Sequence, residues 1–212
     1  MKIINSVPYF PNLSDNTHCL QAVLKMILKY FEPDKDYSYE DLDILSDKVP
    51  GMWTWATRAL INLKKKGYDL VNIEEFDYLS FSRDGEKCLI EKFGYDDAQI
   101  QIKNCNLQKE MSDAKEFEEI IGNNFRLPNI IDIKVLIDKD YLVGCNINYE
   151  ALENKVGYSG HFVLVFGYDD NNLYFHDPGL PAFPNRKVTL EIFNNAWASP
   201  SGKNQNLTAF KK

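Results

Sequence analysis

The sequence predicts an α+β domain in which an N-terminal helical layer packs on a C-terminal antiparallel sheet. Three observations carry this expectation. In residues 16–31, Leu20, Val23, Leu24, Ile27, Leu28 and Phe31 recur at the spacing of one helical face, and Ala22, Met26 and Tyr30 widen that face until little is left for solvent. Residues 160–167 and 173–177 are β-forming runs separated by the turn-forming Asp169-Asp170-Asn171-Asn172, which reads as a hairpin. Helix-type segments gather towards the N-terminal end of the chain and strand-type segments towards the C-terminal end.

With 212 residues, 44% of them hydrophobic and 13% aromatic, the chain can bury a sizeable core, and residues 1–212 are expected to form a single domain. A formal charge of −7 offers no electrostatic reason to bind nucleic acid or an anionic membrane. The basic run Lys64-Lys65-Lys66 fits the solvated end of a helix stopped by Gly67. Residues 1–10 show no apolar signal core, and no stretch of about 18 apolar residues occurs, so the expectation is a cytoplasmic protein outside the membrane. Cys19, Cys88, Cys105 and Cys145 are widely separated, without CxxC spacing, and are expected to stay reduced.

Taken in order, residues 3–10 read as a short strand that Pro8 and Pro11 confine to an edge. A polar loop over 12–17 leads into the central helix, with Asn16 or Thr17 as its N-cap, and Pro33 closes it. Ser38 followed by Glu40-Asp41 opens a helix to about residue 48, and a third runs from about 54 to 66. In the middle of the chain, residues 84–93 read as helix, 98–102 as a strand, and 112–121 as a helix capped by Ser112 or Asp113. Residues 130–137 read as a short helix and 141–147 as a strand. Residues 188–192 are expected to add a strand, and the tail from 199 is polar apart from Leu207 and Phe210.

The chemistry-bearing residues fall at three of these elements. Cys19 sits in the first turn of the central helix, where the positive end of the helix dipole favours thiolate. His161, roughly 140 residues later, begins the first strand of the hairpin, and Asp177 ends the second, so both lie at one end of that sheet. These are the parts of a cysteine nucleophile, its base and the acid that orients the base. Strand side chains alternate faces, so His161 and Asp177 share a face only if an odd number of residues separates their strands. An even loop puts His176 there instead. Direct opposition needs a reversal centred near residue 169, slightly earlier than the Asp-Asp-Asn-Asn run suggests, which predicts a β-bulge or strong coiling. Cys19, His161, His176 or His18, and Asp177 are also zinc-competent, which keeps a metal site as a rival.

Val7-Pro8-Tyr9-Phe10, the run Cys19-Leu-Gln-Ala-Val-Leu-Lys-Met-Ile-Leu-Lys-Tyr-Phe, Gly160-His161-Phe-Val-Leu-Val-Phe-Gly-Tyr-Asp-Asp and Tyr174-Phe-His-Asp177-Pro178 resemble the peptidase C39-like family, a branch of the papain-like cysteine peptidase fold. The resemblance spans most of the chain and is weakest over 70–128. It implies Cys19 as nucleophile, His161 as base and Asp177 as orienting acid, acting on a peptide or other amide bond with no cofactor and no metal. Where the family carries an oxyanion-binding glutamine, about six residues before the cysteine, this chain has Leu13. Asn12 or Asn16, with the backbone amide of Cys19, would have to substitute, since a lost oxyanion donor costs roughly a hundredfold to a thousandfold in rate. His18, Trp53, Trp55 and His176 are candidates to line the cleft. The sequence thus points to a cysteine hydrolase working through an acyl-enzyme, beside the alternatives of acyl or peptidyl transfer on the same triad and of a catalytically weak or inactive peptide-binding module.

Overall fold

The structure is a computed structural model that describes residues 1–4 and 6–212. Its central helix α1 (Cys19–Phe31) buries Leu20, Gln21, Ala22, Val23, Leu24, Met26, Ile27 and Leu28, which leaves it almost surrounded, as its widened apolar face requires. Helix α2 (Tyr39–Ser46) starts at a capping box in which Ser38 and Asp41 satisfy each other's backbone amides. The buried Gln21 donates to Ser46 Oγ at 2.9 Å and ties α2 to α1. Helix α3 (Thr57–Lys65) begins three residues later than its sequence pattern indicates, because the preceding backbone is recruited elsewhere. Trp53 N donates to Asn104 O at 2.7 Å, and Trp55 N to Glu110 Oε1 at 3.4 Å. Gly67, at φ +89°, supplies the expected stop.

Among the described residues seven strands form one antiparallel sheet. The order is β2 (Asp69–Glu74), β7 (Asn206–Lys211), β3 (Leu142–Asn148), β4 (Gly160–Tyr168), β5 (Asn172–Asp177) and β6 (Phe183–Thr189). Strand β1 (Lys2–Ile3) pairs with Gly167 and Tyr168 of β4, beyond the last β3–β4 pair, Val143 with Val165. The strand expected over 3–10 is therefore only two residues long and the chain leaves it before Pro8; Asn5, within that stretch, lies outside the described residues. The tail contains a central strand rather than a polar coil. Leu207, Thr208, Ala209 and Phe210 are all buried, since β7 is flanked by β2 and β3 and covered on both faces.

Helices α4 (Tyr78–Asp84), α5 (Glu86–Phe93), α6 (Tyr95–Asn104) and α7 (Leu107–Ile120) form a side layer between β2 and α8 (Ile130–Asp138). Residues 98–102, expected as a strand, lie within α6. The alternation of Ala98, Ile100 and Ile102 with two glutamines mimics a strand period, but Ala98 alone of the helix is fully buried, and Asp96 and Asp97 favour a helix start there. Helix α7 is capped six or seven residues earlier than expected, by Asn106 accepting from Lys109 N. After β3 comes the single-turn α9 (Tyr149–Leu152). The strand expected over 188–192 ends at Thr189, which caps α10 (Leu190–Trp197) by accepting from Ile192 N at 3.2 Å; Phe193, Ala196 and Trp197 then follow helical spacing into the core.

Candidate active site

Cys19 occupies the first turn of α1, and no side chain caps that helix: His18 stands at the N-cap position, not Asn16 or Thr17. The loop before it is instead held by its own polar groups. Asn12 Oδ1 accepts from His18 N at 2.8 Å and Asp15 Oδ1 from Thr17 N at 3.1 Å. Lys48 Nζ donates to Thr17 O and Met52 O. An uncapped first turn leaves its amides and the positive end of its dipole directed at the sulfur.

On the hairpin, the placement of Asp177 depends on one irregularity. From the turn outward the ladder pairs Tyr168 with Leu173 and Gly167 with Tyr174, a register that encloses an even number of residues and would bring His176 to the face of His161. A bulge at Phe166 then shifts the pairing by one residue, to Val165 with Phe175 and Leu164 with His176. That slip exchanges the faces. His161 Nε2 donates to Asp177 Oδ1 at 2.6 Å, while His176 turns to the other side, donating from Nε2 to Val7 O at 3.0 Å and accepting on Nδ1 from Asn185 N at 3.2 Å.

Asp177 is fully buried and both of its carboxylate oxygens accept hydrogen bonds. Gly179 N donates to Oδ1 at 2.9 Å, Arg186 Nη1 donates to Oδ2 at 2.8 Å, and Tyr9 Oη donates to the backbone carbonyl of Asp177 at 3.1 Å. Arg186 is shared with Glu153 at 2.6 Å. With Nε2 of His161 engaged, Nδ1 is the nitrogen left for Cys19. Burial works against the charged imidazole, but hydrogen bonding to Asp177 and to Cys19, and the charge of both, push its pKa up to about 9. Burial likewise opposes the Cys19 thiolate and is outweighed by His161 and by the amides of Phe162 and Leu20, so the thiol lies below its usual value. The other thiols go the opposite way. Burial pushes Cys88 and Cys145 up, and Cys105 to about 12.

The pair opens into a cleft of about 240 Å³ lined by Cys19, His161, Asn16, Trp53 and Trp55 among others. Of the two oxyanion candidates, Asn16 faces it and Asn12 does not. The Asn12 amide is used up inside the loop, its Nδ2 donating to Asn16 Oδ1 at 3.1 Å, which leaves the Asn16 amide nitrogen outside that network. His18 and His176 do not line the cleft either. His18 is buried between Asp15, at 2.9 Å, and Asp43, at 3.4 Å, and His176 packs against Tyr9 and Phe166. With both turned away, the rival zinc set loses its second imidazole, and among the described residues no group of three His, Cys, Asp or Glu side chains is placed to hold a metal ion. Sequence reasoning missed Arg186, Gly179 and Tyr149. Arg186 lies on a largely exposed strand with no distinguishing pattern, and Tyr149 meets the His161 ring edge-on at 5.6 Å from a helix of four residues. Gly179 had a weak signal in the Pro178-Gly179 turn. A Cβ there would stand 2.9 Å from Asp177 Oδ1 and 3.3 Å from His161 Nε2.

No protein-family model and no curated protein matches the sequence. Solved structures do. The chain is similar to the peptidase domain of Streptococcus ComA, a bifunctional ABC transporter involved in a quorum-sensing pathway, with TM-score 0.50, 17% identity and 97% of each chain covered. It is also similar to a protein from Bacillus anthracis described as C39-like peptidase, with TM-score 0.50, 15% identity, and 99% of this chain and 96% of that one covered. The architecture is that of C39 peptidase domains, a papain-like arrangement of mixed helix and antiparallel sheet. No helix of the described residues is long and apolar enough to cross a membrane.

Proposed function

We propose that the chain is a single-domain cysteine hydrolase that cleaves a peptide or other amide bond, with Cys19 as nucleophile, His161 as general base and acid, and Asp177 as the group that orients His161. One observation carries the reading: of four thiols only Cys19 is driven towards thiolate, and the cause is an imidazole whose far nitrogen is anchored to a buried carboxylate. In this mechanism the Cys19 sulfur attacks the scissile carbonyl carbon, and the oxyanion takes hydrogen bonds from Cys19 N–H and the Asn16 amide in place of the side chain absent at Leu13. His161 Nδ1 passes its proton to the leaving nitrogen as the C–N bond breaks. Water, deprotonated by the neutral imidazole, then releases the acid from the thioester. Peptide-type substrates suit the cleft, which is open at the sulfur and lined by both aromatic and amide side chains. Four unpaired cysteines fit a reducing compartment, which favours the cytoplasm.

Iodoacetamide alkylation of the folded protein across pH, with mass-spectrometric mapping of each cysteine, tests the assignment. Cys19 is expected to react at least tenfold faster than Cys88, Cys105 or Cys145 near neutral pH and to keep that lead well below the ordinary thiol range. Equal rates at Cys19 and Cys88, the two partly exposed thiols, would remove the nucleophile. A reactive Cys19 in a chain that hydrolyses no amide would favour the peptide-binding module.

A further inference from the structure

The cleft does not end at the triad. From the start of β4 it crosses the ends of β3 and β7 to β2, three strand spacings or about 14 Å. Its floor is uncharged and polar along the way, with Asn146, Asn206 and Thr208, and it finishes at Glu74, the last residue of β2, placed opposite Asn206 in the ladder. Trp55 and Phe76, 5.9 Å apart at 77°, wall that end. Glu74 Oε1 accepts from Asn72 Nδ2 at 3.2 Å and from the Tyr78 hydroxyl, whereas Oε2 has no hydrogen-bond donor among the described residues. The one nearby ammonium, Lys92 Nζ, is committed to Glu75, at 3.5 Å from its carboxylate and to its carbonyl. Burial raises the Glu74 pKa against the pull of Tyr78, Asn72 and Lys92, so the carboxylate is incompletely compensated. Apart from the Cys19–His161 pair, whose opposite charges offset each other, Glu74 is the one acidic or basic side chain among the described lining residues, and its unfilled acceptor is matched by a cation arriving with the ligand.

Direction follows from His161. Because its imidazole serves the leaving group, the side bounded by Gly179 and Leu180, which follow β5, takes the leaving portion, and the arm over β3, β7 and β2 takes the acyl portion. An extended peptide advances about 3.3 Å per residue, so a lysine or arginine two to four residues from the scissile carbonyl spans the distance to Glu74. We propose that the Glu74 end of the cleft is an acyl-side subsite for a basic side chain of a peptide substrate. This rests on the hydrolase reading above and adds to it the substrate class.

Peptidyl acyloxymethyl ketones separate the two claims, since the Cys19 sulfur displaces the carboxylate leaving group and forms a stable thioether without any need for turnover. Acetylated tetrapeptide ketones ending in glycine, alanine elsewhere, would carry lysine, norleucine or glutamate at each of the three preceding positions, and the second-order rate of Cys19 labelling would be measured. At one position lysine is expected to label at least tenfold faster than norleucine, with glutamate slowest. In Glu74→Gln the lysine and norleucine rates are expected to fall within threefold of each other. Equal lysine and norleucine rates at all positions in the natural chain, or a lysine preference that survives E74Q, would overturn the subsite while leaving the nucleophile in place. Should E74Q not fold, the natural chain's ranking decides alone. Failure of every probe to label Cys19 ahead of Cys88 would remove the hydrolase reading and the subsite with it.

Discussion

The hairpin β4–β5 and the helical layer of residues 78–120 sit on opposite sides of the same cleft and are built on different principles. In the hairpin each side chain is committed by alternation, so that one bulge at Phe166 decides whether Asp177 or His176 meets His161. In the helical layer, four short helices bury narrow stripes, and their positions come from one another: Tyr78 packs on Phe117 at 4.5 Å between centroids, and Trp55 stacks on Phe81 at 5.0 Å. The lesson is that the two walls hold information at different ranges. The register of the chemical wall is specified within the hairpin itself, whereas the recognition wall exists only once its partners have docked.

The largest expected effect cuts at the chemical wall. His161→Ala removes the group that lowers the Cys19 thiol and the proton carrier for the leaving nitrogen, so amide cleavage should fall by about 10²–10⁴. The same residue sets the pH response. The imidazole is raised from 6.5 to about 9, so the stability it contributes as a cation is complete below pH 6.5 and is lost as pH rises through about 9. Cleavage should fall along its basic limb as pH rises through about 9, because the proton destined for the leaving group is then gone. A pH–rate profile with its basic limb near 6.5 would contradict the Asp177-anchored pair.

At the recognition wall, Phe117→Ala empties a fully buried site in α7 and should lower stability by about 3–5 kcal/mol in urea unfolding. If the two walls are as separable as their construction implies, iodoacetamide should still find Cys19 faster than Cys88 in the variant at low denaturant. Loss of that lead would mean that the helical layer holds the nucleophile in place, and the contrast between the walls would collapse.

The same difference explains what could be read from the residues alone. The α1 stripe, the helix start at Ser38, the Gly67 stop and the hairpin were legible because each is a local pattern with a local cause. A bulge was legible too, from the mismatch between the turn-forming run and the midpoint of His161 and Asp177, although its position was not. Strand β7 was not, because its buried Thr208 reads as surface until Asn72 of β2 accepts its hydroxyl at 2.8 Å. Nor was Asn12's employment inside its own loop, which left Asn16 alone facing the cleft. Arg186 was invisible for a related reason: nothing within its own strand distinguishes it from a solvated arginine, and its meaning comes from Asp177 and Glu153.

Arg186 therefore gives the finest probe of the chemical wall. Its guanidinium lies against a carboxylate with no exposure and is itself 16% exposed, so Arg186→Gln should cost about 1.5–3 kcal/mol, the range for a hydrogen bond to a charged group. The informative readout is direction rather than size. Arg186 shares the negative charge of Asp177 with His161. Without it the carboxylate is left to the imidazole, the imidazolium is favoured further, and the basic limb should move to higher pH. Asp177→Asn removes that charge and should move the limb to lower pH. If Arg186 only packed the strand, its loss would loosen Asp177 from His161 and move the limb to lower pH, as Asp177→Asn does, so opposite shifts in the two pH profiles identify Arg186 as a positioning residue acting through Asp177.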